Sequence, residues 1–225
     1  RSYPLLMYVY GGPGSQQVLN TWFTSQDLWF AYLTQKGYAI ACVDGRGTGG
    51  RGADFEKTIY KRMGEVELHD QIKAAQALAR LPYIDKARIG IFGWSFGGDM
   101  ACLAATRGGD TWRAAVAVAP VTSWRFYDTI YTERYLSTPQ ENPQGYDLNS
   151  PLTYADDLSS RLLLVHGTAD DNVHFQNSMQ FSGLLVSAGK PFEQMVYADK
   201  NHSIYGGATR LHLFSKITNF LLTNL

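Results

Sequence analysis

Six short apolar runs recur through the 225-residue chain, and helical patterns fill the intervals between them. The runs are Leu5–Tyr10, Tyr38–Val43, Arg88–Gly93, Ala114–Ala119, Leu162–His166 and Gln194–Tyr197. They are near-continuous rather than alternating, which is the pattern of strands covered on both faces. Helix candidates lie near Gln26–Lys36, Glu67–Arg80, Gly97–Arg107, Phe175–Ala188 and Arg210–Leu222. The one from Glu67 puts Ile72, Ala75, Leu78 and Ala79 on one face, as a helix packed on a sheet requires. Strands alternating with helices predict an α/β fold with a mostly parallel, doubly covered sheet. The length suits one such domain, residues 1–225, with a large core. The interval 120–158 breaks the rhythm. It is rich in Trp, Tyr, Pro and Asn and reads as an insertion over one edge of the sheet.

Charge narrows the partners. The 20 basic residues balance 20 acidic ones, so no basic excess calls for nucleic acid or an anionic membrane surface. No apolar run approaches the ~18 residues of a membrane-spanning helix. The two cysteines, Cys42 and Cys102, each sit in an apolar stretch and read as small buried hydrophobes rather than a disulfide. The chain enters its first apolar run within four residues of Arg1, with no leader pattern. That start is expected of a piece of a longer protein, so location stays open.

In a parallel sheet, sites form beyond the carboxyl ends of the strands. There, Gly93-Trp94-Ser95-Phe96-Gly97 follows a strand and opens an apolar helix, the context of a G-x-S-x-G nucleophile elbow. Ser95 would stand at a helix N-terminus, where amide groups and the dipole favour developing negative charge. A serine nucleophile needs a neighbouring base. His202 follows the last strand and precedes the last helix, where the base of an α/β hydrolase belongs. His69 and His212 fall in helices. The acid should follow the preceding strand, and Asp170 and Asp171 both do; Asp170 is preferred. A metal reading of His166, Asp170 and His174 lacks a second ligand pair. The backbone N–H of Phe96 supplies one oxyanion donor. Tyr10, after the first strand, is as consistent with a second donor as with a core tyrosine. The G-x-G-x-x-G of residues 45–50 is followed by a polar, interrupted stretch, so it reads as a glycine-rich turn and not as a dinucleotide site; no cofactor is expected.

Together these segments are similar to the prolyl oligopeptidase family of serine peptidases, and within it to the dipeptidyl peptidase IV branch. The likeness is carried by Tyr10-Gly-Gly-Pro-Gly-Ser-Gln, Asp44-Gly-Arg-Gly, Gly93-Trp-Ser-Phe-Gly-Gly and Ala117-Val-Ala-Pro-Val. It continues in Trp124-Arg-Phe-Tyr-Asp, Tyr131-Thr-Glu-Arg-Tyr and His166-Gly-Thr-Ala-Asp-Asp-Asn-Val-His-Phe, in order along nearly the whole chain. The resemblance implies a triad of Ser95, Asp170 and His202, with Tyr10 as side-chain oxyanion donor beside Phe96. It implies that Phe96, Val121, Trp124, Tyr127, Tyr131 and Val173 line a pocket for the proline before the cleaved bond, with Asn172 on a substrate carbonyl. Peptides with proline at that position are the implied substrates. An N-terminal β-propeller of the same protein, bearing the glutamates that hold the substrate's amino terminus, is the implied partner, and a homodimer is compatible. A periplasmic, secreted or membrane-anchored location is implied in the same way. Phe96 departs from the branch, which has tyrosine there. The implied activity is release of Xaa-Pro dipeptides. Tripeptide release is the near alternative, suggested by the segment 139–147. An esterase, or an inactive hydrolase fold used for binding, is the distant one.

Overall fold

The computed structural model describes residues 1–21 and 25–225. Six strands form one sheet: β1 (Tyr3–Val9), β2 (Ala39–Cys42), β3 (Ile84–Trp94), β4 (Ala114–Val118), β5 (Arg161–Gly167) and β6 (Glu193–Tyr197). Their order is β2-β1-β3-β4-β5-β6, and every neighbouring pair is parallel. The expected α/β sheet is therefore parallel throughout the described residues. Helices α1 (Ser25–Gln35), α2 (Ala53–Lys57), α3 (Glu65–Leu78), α4 (Phe96–Arg107), α5 (Thr129–Leu136), α6 (Pro143–Asp147), α7 (Gln176–Ser187) and α8 (Thr209–Asn224) complete the chain.

Side chains alternate across the pleat, so each strand feeds two cores. Leu5, Met7, Val9, Ile91, Ala115, Ala117 and Leu164 meet Val66 and Ala75 of α3, Met100 and Leu103 of α4, and Phe181 and Leu185 of α7. Leu6, Phe92, Val116, Val118, Leu163 and Val165 meet Trp29 and Leu33 of α1 and Leu213, Ile217 and Leu221 of α8. Burial on both faces is why the runs read as continuous hydrophobics. No helix among the described residues is long and apolar enough to cross a membrane.

Two expectations need correction. The insertion does not lie over an edge. It leaves β4, whose neighbours are β3 and β5, and packs against α4 and α7 over the middle of the sheet. It brings its own framework: the Trp124 indole donates to the Asn149 carbonyl at 3.1 Å, and the Trp124 amide to Ser150 Oγ at 3.1 Å. The second correction concerns Cys42, which is half-buried, whereas Cys102 is buried; both are free thiols.

Two of the buried acidic side chains, Glu67 and Asp99, have carboxyl oxygens without a hydrogen-bond partner among the described residues. Glu67 of α3 is buried; its Oε2 accepts the Gly64 N–H at 2.8 Å, while Oε1 has no partner among the described residues. Asp99 of α4 is buried with neither carboxyl oxygen partnered among the described residues. Burial pushes the Glu67 carboxyl up to about 8, and the nearby Asp70 and Glu65 push the same way. Burial likewise holds the Asp99 carboxyl well above the carboxylate range, with Glu67 adding to it. A folded value raised above the unfolded one (~4.3 for Glu) means that the folded state keeps its proton longer. The contribution of Glu67 to stability is then fully present below about pH 4 and is lost as pH rises toward 8. Glu67→Gln removes that term. The melting temperature of the variant, relative to the parent, is expected to climb between about pH 5 and pH 9; a constant difference would contradict a buried, protonated Glu67.

Candidate active site

The turn from β3 into α4 is set by two glycines. A Cβ on Gly93 would lie 2.0 Å from the Gly97 carbonyl oxygen, and one on Gly97 would lie 2.1 Å from the Val9 carbonyl oxygen. No side chain fits at either place, so α4 can start against the ends of β1 and β3. Between them Ser95 takes φ 61° and ψ −118°, a conformation that non-glycine residues adopt at a cost of roughly 1–3 kcal/mol. It is pinned there: its N–H donates to Val118 O at 2.9 Å, and its carbonyl accepts the Asp99 N–H at 3.0 Å. The Phe96 N–H follows directly and is the first of the amides that helix geometry leaves without an intrahelical acceptor.

Asp170 and His202 come together from the loops after β5 and β6. His202 Nδ1 lies 2.7 Å from Asp170 Oδ2. A carboxylate only accepts, so Nδ1 carries the hydrogen and Nε2 is left as the basic nitrogen. The Asp170 carboxyl is fully buried, and Oδ1 takes the backbone N–H groups of Asn172 and Val173 at 3.0 and 2.9 Å. Burial alone would raise this carboxyl. Hydrogen bonds from His166 and His202, with the amides, outweigh it and hold Asp170 well below the usual carboxylate range. Asp171, the other candidate, is exposed. The His202 loop is tied to the elbow by the Trp94 indole, which donates to the His202 carbonyl at 3.0 Å. Ser95 Oγ and His202 are not hydrogen-bonded to each other, and the His202 ring hydrogen bond is the one to Asp170.

The aromatic residues of the insertion gather over Phe96. Phe96 and Trp124 have ring centroids 5.6 Å apart, and Trp124 and Tyr131 stack at 6.4 Å. Tyr127 meets Trp124 edge-on at 6.2 Å and Tyr131 edge-on at 5.3 Å. Val121 and Val173 are buried beside them in the same core, and Tyr10 reaches Phe96 at 6.1 Å. Burial raises the Tyr10 phenol above its ordinary value, so the hydroxyl keeps its proton at neutral pH. The Tyr127 hydroxyl donates to Asn172 Oδ1 at 2.7 Å, which ties this box to the loop carrying Asp170. An open cleft of about 670 Å³ adjoins it, lined in part by Tyr127, Asn172, Arg125 and His174.

One residue of this region was not assigned a role from the sequence. His166, buried at the end of β5, puts Nε2 3.1 Å from Asp170 Oδ2 and Nδ1 2.7 Å from Ser178 Oγ. Both ring nitrogens are thus engaged by the protein, and neither is directed at a site shared with the exposed His174. Its position four residues before Asp170 was the available signal. His212 bonds the Tyr197 hydroxyl at 2.8 Å and His69 sits beside Arg46 and Asp70, both away from Ser95. The glycine-rich stretch at 45–50 is a structural turn. Asp44 accepts the Gln17 and Val18 amides, and the helix that follows, α2, has five residues and buries none.

A doubly covered parallel sheet with a serine at the tight strand-to-helix turn is the α/β-hydrolase fold. A model of the prolyl oligopeptidase family matches residues 24–225, and the chain belongs to that family. The crystal structure of Porphyromonas gingivalis dipeptidyl peptidase 4 superposes with a TM-score of 0.97 at 53% identity, covering 100% of this chain and 32% of that one. Mouse (Mus musculus) prolyl endopeptidase FAP is 42% identical over 98% of this chain and 29% of its own length. Probable dipeptidyl-aminopeptidase B of Trichophyton verrucosum is 44% identical over 91% of this chain and 23% of its own. The chain thus spans less than a third of the length of these relatives.

Gly97→Ala tests the close approach at the elbow. With the Val9 carbonyl in the way, the backbone must move, at a cost of roughly 1–3 kcal/mol or more. The expected result is a clear fall in melting temperature; an unchanged one would contradict the packing of α4 on β1.

Proposed function

We propose that this chain is the catalytic domain of a serine exopeptidase that cleaves after proline and releases Xaa-Pro dipeptides from peptide amino termini. The observation that carries the reading is the aromatic box built on Phe96, the residue next to Ser95. A wall of the pocket and a donor to the reacting carbonyl are then one residue, so a flat ring held by Trp124, Tyr127 and Tyr131 brings its own carbonyl to the nucleophile. Proline, which has no amide hydrogen to satisfy, suits such a box.

The chemistry follows from the groups present. Ser95 Oγ attacks the prolyl carbonyl carbon while His202 Nε2 takes its proton, and Asp170 holds the imidazolium through Nδ1–H. The oxyanion is met by the Phe96 N–H and the Tyr10 hydroxyl. Collapse breaks the C–N bond, and the leaving amine takes the proton from His202. Water, deprotonated by the same histidine, then hydrolyses the acyl-enzyme. With its Oδ1 accepting from Tyr127, Asn172 retains its amide hydrogens for a substrate carbonyl.

Dipeptide length is supported by two relatives, named dipeptidyl peptidase 4 and probable dipeptidyl-aminopeptidase B. A further domain that holds the substrate's amino terminus, of β-propeller type, is part of the proposal and fits the share of the relatives' length that this chain spans. The name prolyl endopeptidase on another relative favours a second reading, cleavage after proline within chains.

In the natural full-length protein, Ser95→Ala is expected to abolish turnover of a free-amine Xaa-Pro reporter amide and labelling by a fluorophosphonate. Asp170→Asn should cost roughly 10⁴-fold in kcat through loss of the imidazole orientation. Undiminished turnover in either variant would overturn the assignment. An equal rate on an amino-blocked reporter would select the endopeptidase reading. Tyr127→Ala is expected to raise KM for the proline reporter far more than it slows acylation by a small activated ester; equal effects would remove Tyr127 from the pocket.

A further inference from the structure

Asp170 accepts four N–H groups, and two of them are imidazoles converging on one oxygen. His202 Nδ1 and His166 Nε2 both reach Oδ2, at 2.7 and 3.1 Å. His166 Nε2 is also 2.8 Å from the Val173 carbonyl oxygen. Both of its neighbours only accept, so Nε2 bears the hydrogen and shares it between them. On the other side of the ring, Nδ1 faces Ser178 Oγ at 2.7 Å. Ser178 is buried in the first turn of α7, and its hydroxyl donates to Nδ1 of the neutral ring. The Phe175 ring closes edge-on over the imidazole at 5.6 Å.

Val173 is consequently gripped at both ends. Its N–H donates to Asp170 Oδ1 at 2.9 Å and its carbonyl accepts from His166. Val173 is buried in the same hydrophobic core as the aromatic box, and the proposed pocket takes it as a wall. The residue before Ser178 in α7, Asn177, braces the other side: its Oδ1 accepts the Thr122 N–H at 2.9 Å, next in sequence to Val121. The first turn of α7 therefore supports the acid on one side and the pocket on the other.

We propose that His166 is a positioning residue for the reaction: a single Nε2–H, kept on that nitrogen by its two acceptors and with the ring held from behind by Ser178, aims the Asp170 oxygen that His202 uses and holds the Val173 backbone in place. The proposal rests on the reading of Ser95, Asp170 and His202 as nucleophile, acid and base. The direction of the Asp170 shift agrees, because the His166 hydrogen bond leads the influences that lower it against burial. A ring that only filled space would be replaceable by any side chain of its volume, and replacing a buried polar pair by apolar atoms is often neutral for stability.

The test compares His166→Gln, whose amide nitrogen falls where Nε2 stands, with His166→Leu, which keeps volume and loses the donor. The full-length protein is used, and melting temperature, fluorophosphonate labelling rate at Ser95, and kcat and KM on a Xaa-Pro amide are measured. A hydrogen bond to a charged group is worth roughly ten- to hundredfold. The leucine variant is expected to lose that much in kcat/KM with KM raised as well, while glutamine recovers at least about tenfold of the loss, even if leucine melts as high or higher. Ser178→Ala leaves Nε2–H on its two acceptors and removes the hydrogen bond that holds the ring from behind; labelling is expected to slow several-fold. Equal activity of the glutamine and leucine variants, or parental labelling in Ser178→Ala, would overturn the positioning role and leave the serine-peptidase reading standing. No labelling of Ser95 in the parent would overturn both.

Discussion

The contact on which the site depends is backbone against backbone. Gly97 lies so close to the Val9 carbonyl that even a methyl group is excluded, and Gly93 is equally close to Gly97. That approach seats the first turn of α4 over the ends of β1 and β3. It brings Tyr10, which follows β1, to the ring of Phe96. It also forces Ser95 into its left-handed conformation, held by the Val118 carbonyl of the neighbouring strand. Strain at one residue is tolerated because three strands and a helix fix its surroundings.

The interior treats its carboxyl groups in two opposite ways. Asp170 is buried as a charge because four N–H donors converge on it, and its carboxyl is held low. Glu67 and Asp99 are buried with oxygens that have no partner among the described residues, and theirs are held high. Desolvation acts on all three in the same direction, and the number of donors reverses the outcome. The contrast suits the two places. In the mechanism we propose, Asp170 must stay ionised beside His202, whereas an ionised Asp99 in the first turn of α4 would oppose negative charge developing at the Phe96 amide.

Much of this was legible in the chain because the physics is local. Two-faced burial makes a strand a continuous apolar run, and the six runs mark the six strands to within a few residues, although β3 begins four residues earlier than its run. The helix from Glu67 showed its packed face through its period, and its start was missed by two residues because the acidic first turn adds no hydrophobic signal. The insertion was legible only as a break. Its helices α5 and α6 are short and are fastened by polar side chains such as Asn142, Asn149 and Ser150, which leave no hydrophobic period to read.

The sequence by itself determined the alternation of strands and helices, the glycine-flanked turn around Ser95, and the placing of Ser95, Asp170 and His202 each just after a strand, since each is read from residues close together along the chain. The tertiary structure alone decided which of Asp170 and Asp171 meets His202, because two neighbouring aspartates are chemically alike and differ only in which one the β5 loop turns inward. It decided that the insertion covers the middle of the sheet, because β4 has a strand on either side. It also decided that His166 is hydrogen-bonded to Asp170, Ser178 and Val173, because hydrogen bonds between strand, loop and helix leave no pattern in the order of residues.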